Sequence, residues 1–530
     1  MKDELIDALR QDLDDAGFRE DAVVGLLGDA ADAARRRGVF SPGRRALAQR
    51  PSSPLATLAS LFLFGDSLVG SRVDAALPNL RTRGATELGL LEPQRGDEAE
   101  SVHAALSLNP VVLGPDPERD AWWVISDLDD QLRRGPARPD HVMGVGGATR
   151  SLISQSPVPA AGRALELGTG CGIVSMHLAR AGAEHVVATD VSERALTLAR
   201  ANARLNQVDD RIEFRSGSLF EPVVGEHFDL ILSNPPFVIT PRTSDNVPAY
   251  TYRDGGLPGD DLAAAVVRDG PGHLTEGGML LCLANWESPW GSDGLERVRD
   301  WIESAVDAAG PLHAWVIERD RVSPLQYAET WVRDGGVRPG DPDFEGLLEA
   351  WLQDFENRRV VAVGLGSIRV RRPATKSTAG LGARTEGGHG VEQLDTIVHL
   401  DRAAGSFATG QVGALLDAAF DAGIAAQSMT EKEVLALQWT TDAAVTEERD
   451  HRPGEEAPRA IRLVTDRPIA RRVTADTLLA AAVGACDGEL TLGQISEALA
   501  TLLEVEPQAV SDALVTGVRE LAWFGMLASA

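Results

Sequence analysis

The chain has little cysteine, no long apolar run, no surplus of positive charge and no internal repeat of fixed period. Each absence removes a class of function. Three cysteines in 530 residues, Cys171, Cys282 and Cys486, stand far apart and form neither a metal-binding pair nor a redox motif. Three reduced thiols and no metal are therefore expected. The longest apolar-rich stretch, residues 55–64, is too short to span a bilayer. The opening MKDELIDALRQDLDD is acidic and amphipathic, unlike a secretory signal. A cytoplasmic location without a membrane partner is the expectation. A formal net charge of −28 repels polyanions at long range, which argues against a broad basic surface for nucleic acid but leaves room for a local basic groove.

What is present is a chain too long for one core. Its 530 residues call for three or four domains. Residues 1–105 read as a helical, winged-helix-like domain: Leu5, Leu9 and Leu13 make one apolar helix face, and helix, helix, short strand at residues 88–91 follow. Residues 106–140 hold a β-hairpin and a linker, with HAALSLNPVVLG and AWWVISDL flanking the turn PDPE. Trp122 and Trp123 are adjacent and point to opposite faces; one is expected in the core, and the other is a candidate for a substrate entrance. Residues 141–372 alternate strand and helix, which means a mostly parallel α/β sheet with helices on both faces. Residues 373–395 are Gly, Ser and Thr rich and read as a flexible loop. Residues 396–470 form a mixed α/β segment with a polar break at 447–457, and residues 471–530 a winged-helix-like C-terminal domain. Acids outnumber bases in that tail, so docking or dimerisation suits it better than phosphate binding. A homodimer through the terminal domains is one candidate assembly.

Chemistry concentrates in residues 164–237. ALELGTGCG ends the first strand of the alternating block. Its glycines, Gly168, Gly170 and Gly172, let backbone approach a ligand, and the helix after them presents free N–H groups. Asp190 ends the next strand, about 20 residues on, where a carboxylate can accept both hydrogen bonds of a ribose diol. Loop and acid together fit a dinucleotide dehydrogenase as well as a methyltransferase.

The fourth strand separates these. Ser233-Asn234-Pro235-Pro236-Phe237 resembles the NPPY/NPPF signature of class I S-adenosylmethionine-dependent N-methyltransferases, in the same strand order: glycine loop, acid, then NPPF two strands later. The resemblance implies a Rossmann-like, seven-stranded core and S-adenosyl-L-methionine as cofactor. Glu166, Thr169 and the three glycines would surround its methionine and ribose, with Asp190 and Val191 at the ribose. Many relatives carry an acid after the third strand for the adenine; here Ser218 and Leu219 stand there. An amide or aromatic amino nitrogen is a poor nucleophile because its lone pair is delocalised. Acceptance of its two N–H bonds by the Asn234 side-chain oxygen and the Pro235 carbonyl would hold it in line and stabilise developing charge. Pro235 and Pro236 stiffen the turn, and Phe237 can stack on a planar group.

The acceptor is a macromolecule, protein or RNA, on this reading. TYRDGGLPGDDL resembles the loop of the release-factor glutamine N5-methyltransferases (HemK/PrmC), where Asp254 is either a turn residue or part of an active-site lid. The phenylalanine of NPPF and LCLAN on the fifth strand resemble the rRNA base N-methyltransferases of the RsmC/RlmG type. A protein glutamine is favoured narrowly over guanine N2 or adenine N6 of RNA. A protein that binds the cofactor without turnover is the third reading.

Overall fold

The three strand-end turns of residues 164–237 lie side by side because their strands do. The structure is a computed structural model that describes residues 1–50, 53–94, 101–133, 137–157, 162–241, 255–374 and 395–530. Its main sheet is built from β1 (Arg163–Leu167), β2 (His185–Asp190), β3 (Ile212–Ser216), β4 (Phe228–Ser233), β5 (Leu274–Pro289), β6 (His313–Val322), β7 (Val360–Arg371) and β8 (Ile397–Arg402). The spatial order is β8-β6-β7-β5-β4-β1-β2-β3. Strands β1 to β5 run parallel to one another, β7 is antiparallel to both neighbours, and β8 is parallel to β6. The order reverses between β1 and β4, which makes their carboxyl ends the switch point where an open α/β sheet binds ligands. Register there is flush: Leu167 faces Thr189 on one side and Ser233 on the other, and Asp190 faces Ser216.

Helices between the strands are α1 (Gly147–Gln155), α2 (Ile173–Ala181), α3 (Glu193–Leu205), α4 (Asp261–Asp269), α5 (Gly294–Ala309), α6 (Pro324–Asp334), α7 (Phe344–Asn357) and, beyond the sheet, α8 (Val412–Ser428). Helix α3 starts at Ser192, whose hydroxyl accepts from Ala195 N at 3.2 Å. Such a cap stabilises by about 1 kcal/mol. Helix α6 opens with a full capping box between Ser323 and Gln326 and with Pro324 in its first turn.

The sheet has eight strands where seven were expected. Residues 396–470 begin with β8, which pairs with β6 along its full length and covers an otherwise open edge. The polar break expected at 447–457 also differs: Thr446–Asp450 is a strand paired with Ala460–Thr465. It lies on a sheet edge, so its charged side chains face water and its sequence carries no apolar alternation. The flexible loop expected at 373–395 falls almost wholly outside the described residues.

The flanking parts are bolted to the core. Before it, residues 54–104 run helix, short strand, two helices and two strands, the last strand pairing with both others. Helix Asp3–Asp15 lies along α3, with Arg204 paired to Asp7 at 2.6 Å. The hairpin Leu106–Val112/Ala121–Asp127 buries both tryptophans, under the guanidinium groups of Arg180 (3.4 Å from the Trp122 ring) and Arg19 (3.8 Å from Trp123). Neither lines an entrance, because hairpin faces are covered on both sides. Behind the sheet, the fully buried Arg369 donates to Asp417 of α8 at 2.7 Å, and the His399 ring of β8 stacks on Trp523 at 4.4 Å.

Candidate functional site

A cleft of about 410 Å³ opens over the carboxyl ends of β1, β2 and β4. Its wall includes Glu166, Gly168, Thr169, Gly170, Asp190, Val191, Ser218, Leu219, Asn234, Pro235, Pro236 and Phe237. Every candidate site residue except Gly172 is thus in one cavity. Gly172 stands behind the wall, against Ala199 of α3.

The glycine loop is held by carboxylates. Glu166 is buried, and its Oε2 accepts from Thr169 Oγ1 at 2.6 Å and from Ser175 N at 2.8 Å. Burial pushes its carboxyl up to about 7 against these bonds. Asp190 accepts from Gly170 N at 2.9 Å through one oxygen and from Ser192 N at 2.8 Å through the other. Each oxygen keeps a further lone pair. Burial raises its carboxyl too.

Asn234 is the polar centre of the opposite wall. Ser233 Oγ donates to Leu167 O at 3.2 Å and ties β4 to β1. The next residue, Asn234, lines the gap. Asn234 Oδ1 is buried with no hydrogen-bond partner. Among the described residues it is the only such atom belonging to the cleft wall. A buried acceptor left unmatched costs about 1–3 kcal/mol.

Three features went unseen in the sequence. Asn202 and Asn206 of α3 act as backbone substitutes. Asn202 accepts from Ile125 N and donates to Ile125 O and Cys171 O, all at 2.8 Å. Asn206 does the same for Trp123, at 3.0 and 2.8 Å. Hairpin and glycine loop are thereby one rigid unit. The signal was an asparagine on the buried face of an amphipathic helix. Next, residues 140–144 and 146–149 line the cleft, anchored where Asp127 accepts from Val142 N at 2.8 Å and pairs with Arg194. Last, Trp331 of α6 meets Phe237 edge-on at 6.4 Å and lines the cleft.

Asp254 lies outside the described residues. Gly255 lies on the cleft wall, and the chain is pinned shortly after it. Asp260 accepts a two-pronged bond from Arg297 at 2.9 and 2.7 Å and one from Glu287 N at 2.9 Å. Glu287, paired with Arg358, is pushed by burial to about 7.

Comparison with known proteins now bears on this site. A family model described as methyltransferase small domain matches residues 143–298, and one for a domain of unknown function matches residues 15–105. A release factor glutamine methyltransferase of Gloeobacter violaceus is 34% identical over 230 residues, 40% of this chain and 70% of that protein. The chain belongs to the glutamine-methyltransferase family. Within it, the release factor enzyme of Aquifex aeolicus is 38% identical over 22% of this chain and 43% of its own length. The ribosomal protein uL3 glutamine methyltransferase of Bradyrhizobium diazoefficiens is 33% identical over 27% and 46%. The chain spans about half the length of the first curated relatives it matches. Membership accounts for the α/β core with helices on both faces. No helix among the described residues is long and apolar enough to cross a membrane, and no cluster of side chains there could hold a metal.

Proposed function

We propose that this protein transfers a methyl group from S-adenosylmethionine to the side-chain nitrogen of a protein glutamine. The observation that carries the reading is the unmatched Asn234 Oδ1 in a cleft whose other wall is the Glu166–Asp190 loop. A carboxamide NH₂ has two donors. Asn234 Oδ1 accepts one and the Pro235 carbonyl the other, which fixes the nitrogen and offsets its developing positive charge. The N–CH₃ bond forms as the S–CH₃ bond breaks to leave the neutral thioether S-adenosylhomocysteine, and one N–H proton departs to solvent. Asp190 and the glycine loop suit the ribose and the Glu166 side the methionine part of the cofactor, which supplies an electrophilic methyl on sulfur. Charge supports a protein acceptor. The described lining includes Asp140, Glu166, Asp190 and Asp334 and neither arginine nor lysine. That described lining offers a phosphate no arginine or lysine, while a neutral amide meets no opposing charge. The relatives' names, release factor and ribosomal protein uL3 glutamine methyltransferase, point the same way.

The acceptor is tested by incubating the full chain and methyl-labelled cofactor with purified release factor or uL3 of the same organism, and separately with its ribosomal RNA. Label removed by protease and recovered as N5-methylglutamine is expected. Label lost to nuclease alone would overturn the glutamine reading in favour of an RNA base.

Glu166 also makes cofactor binding depend on pH. Below about 7 its carboxyl holds a proton in the folded protein. Arrival of a cationic ligand favours the carboxylate, so binding at pH 6 should release a proton, and affinity should rise with pH and level off above about 7. Calorimetry at pH 6 in two buffers of different ionisation heat reads this directly; equal heats would refute it. The sign for stability is opposite. A carboxyl raised from 4.5 makes folding progressively less favourable as pH rises from there to about 7, and Glu287 acts alike.

A further inference from the structure

Strands β6 and β7 pair antiparallel up to Val322 and Val363, a geometry that a turn of a few residues can close. Instead residues 323–359 intervene, with α6 and α7. These helices have a core of their own, and it includes Val238 and Ile239, the residues directly after Phe237. Tyr327, fully buried, is the joint: its hydroxyl accepts from Ile239 N at 3.1 Å and from Asn285 Nδ2 of β5 at 2.7 Å. Helix α6 is thereby fixed to the exit of the NPPF turn. One helical turn past Tyr327, Trp331 reaches the cleft. The insert's other tryptophan, Trp351, is 2% exposed and sealed in the core. Trp331 is only half-buried, stands against Phe237 with an interplanar angle of 67°, and lines the cavity together with it.

We infer that the inserted helices form the acceptor-side wall of the site and that Trp331, with Phe237, makes an aromatic slot that selects a planar carboxamide. The inference rests on the methyl-transfer reading above. Two rings at a steep angle leave room for a flat group against one face and an edge, and they exclude water from its amide. Such a slot favours a planar neutral group over the ammonium of a lysine or the hydroxyl of a serine of similar reach.

The test measures steady-state methylation of the acceptor that the wild type labels, whether the release factor, uL3 or ribosomal RNA, for Trp331→Ala and Trp331→Phe. Expected for Trp331→Ala is a rise of at least tenfold in acceptor KM, with the calorimetric Kd for S-adenosylmethionine within twofold of wild type. Trp331→Phe should recover most of the loss, and its retained melting temperature controls for folding. An unchanged acceptor KM in Trp331→Ala, or a matching loss of cofactor affinity, would overturn the role of Trp331. Label in RNA would overturn the carboxamide slot and the glutamine reading together, and label in none of the three would overturn methyl transfer to these acceptors. The KM comparison therefore separates failure of the slot from failure of the proposed reaction.

Discussion

Asn234→Ala is expected to lower turnover by about two to three orders of magnitude while leaving the Kd for S-adenosylmethionine within about twofold. The size follows from the position of the lost atom. Removing one preorganised hydrogen-bond partner of a reacting group typically costs 10²–10³ in kcat. Asn234 Oδ1 is buried and no protein group bonds to it, so it is free to accept from a ligand. The turn that holds it is fixed by Pro235 and Pro236 after it and by the Ser233–Leu167 bond before it. The fold should tolerate the change, because deleting an unmatched buried acceptor removes a penalty rather than a bond. Cofactor affinity should survive because Glu166, Asp190 and their backbone partners are untouched. Asn234→Asp is the sharper variant. Its carboxylate still accepts, yet it adds a charge to a cleft that already holds Asp190 and Glu166, so partial activity that falls as pH rises is expected. Single-turnover rates at saturating cofactor measure both. Wild-type turnover in Asn234→Ala would remove Asn234 from the chemistry.

The legible part of this site was the part written in consecutive residues. Glycine loop, strand-end acid and NPPF each sit on a short run, and an open sheet brings such runs together at one edge by rule. The pieces that stayed hidden act across the sequence. Trp331 follows the site by about a hundred residues, and nothing in PLQYAETWVRD separates it from an ordinary helix-face tryptophan. Its meaning comes from the insert being locked at Tyr327. Asn202 carries one hydrogen-bond network through three segments, which periodicity alone cannot express. The eighth strand was lost for a different reason. IVHLDR lies in a segment legible only as mixed α/β, and the residues before it give no cue to which sheet it will join. Both hairpin tryptophans were expected to face opposite ways, and they do; what the sequence omitted is that Arg19 and Arg180 cover each face.

Gly172→Val should lose most of the folded protein, although Gly172 does not line the cleft. Two effects add. Gly172 has φ of +84°, a region where a branched residue is strained by about 1–3 kcal/mol. A Cβ there would lie 2.9 Å from Ala199 Cβ and 3.0 Å from Ala199 Cα, and the second atom is helix backbone. Helix α3 cannot yield, because Asn202 holds it to both Cys171 and Ile125. Overpacking of this kind typically costs 1–3 kcal/mol more. The sum, about 2–6 kcal/mol, is comparable to the stability of a whole domain. Gly168→Ala makes the contrast. It shares a positive φ of +74°, yet a Cβ there meets nothing within 4 Å. That variant should fold with a loss of about 1–2 kcal/mol and weaken cofactor binding instead, since the added methyl stands on the cleft wall. Urea unfolding and calorimetry on the pair resolve the two roles: Gly172→Val must fail in stability and Gly168→Ala in affinity. The reverse assignment, or wild-type stability in Gly172→Val, would mean that the loop is not clamped between β1 and α3.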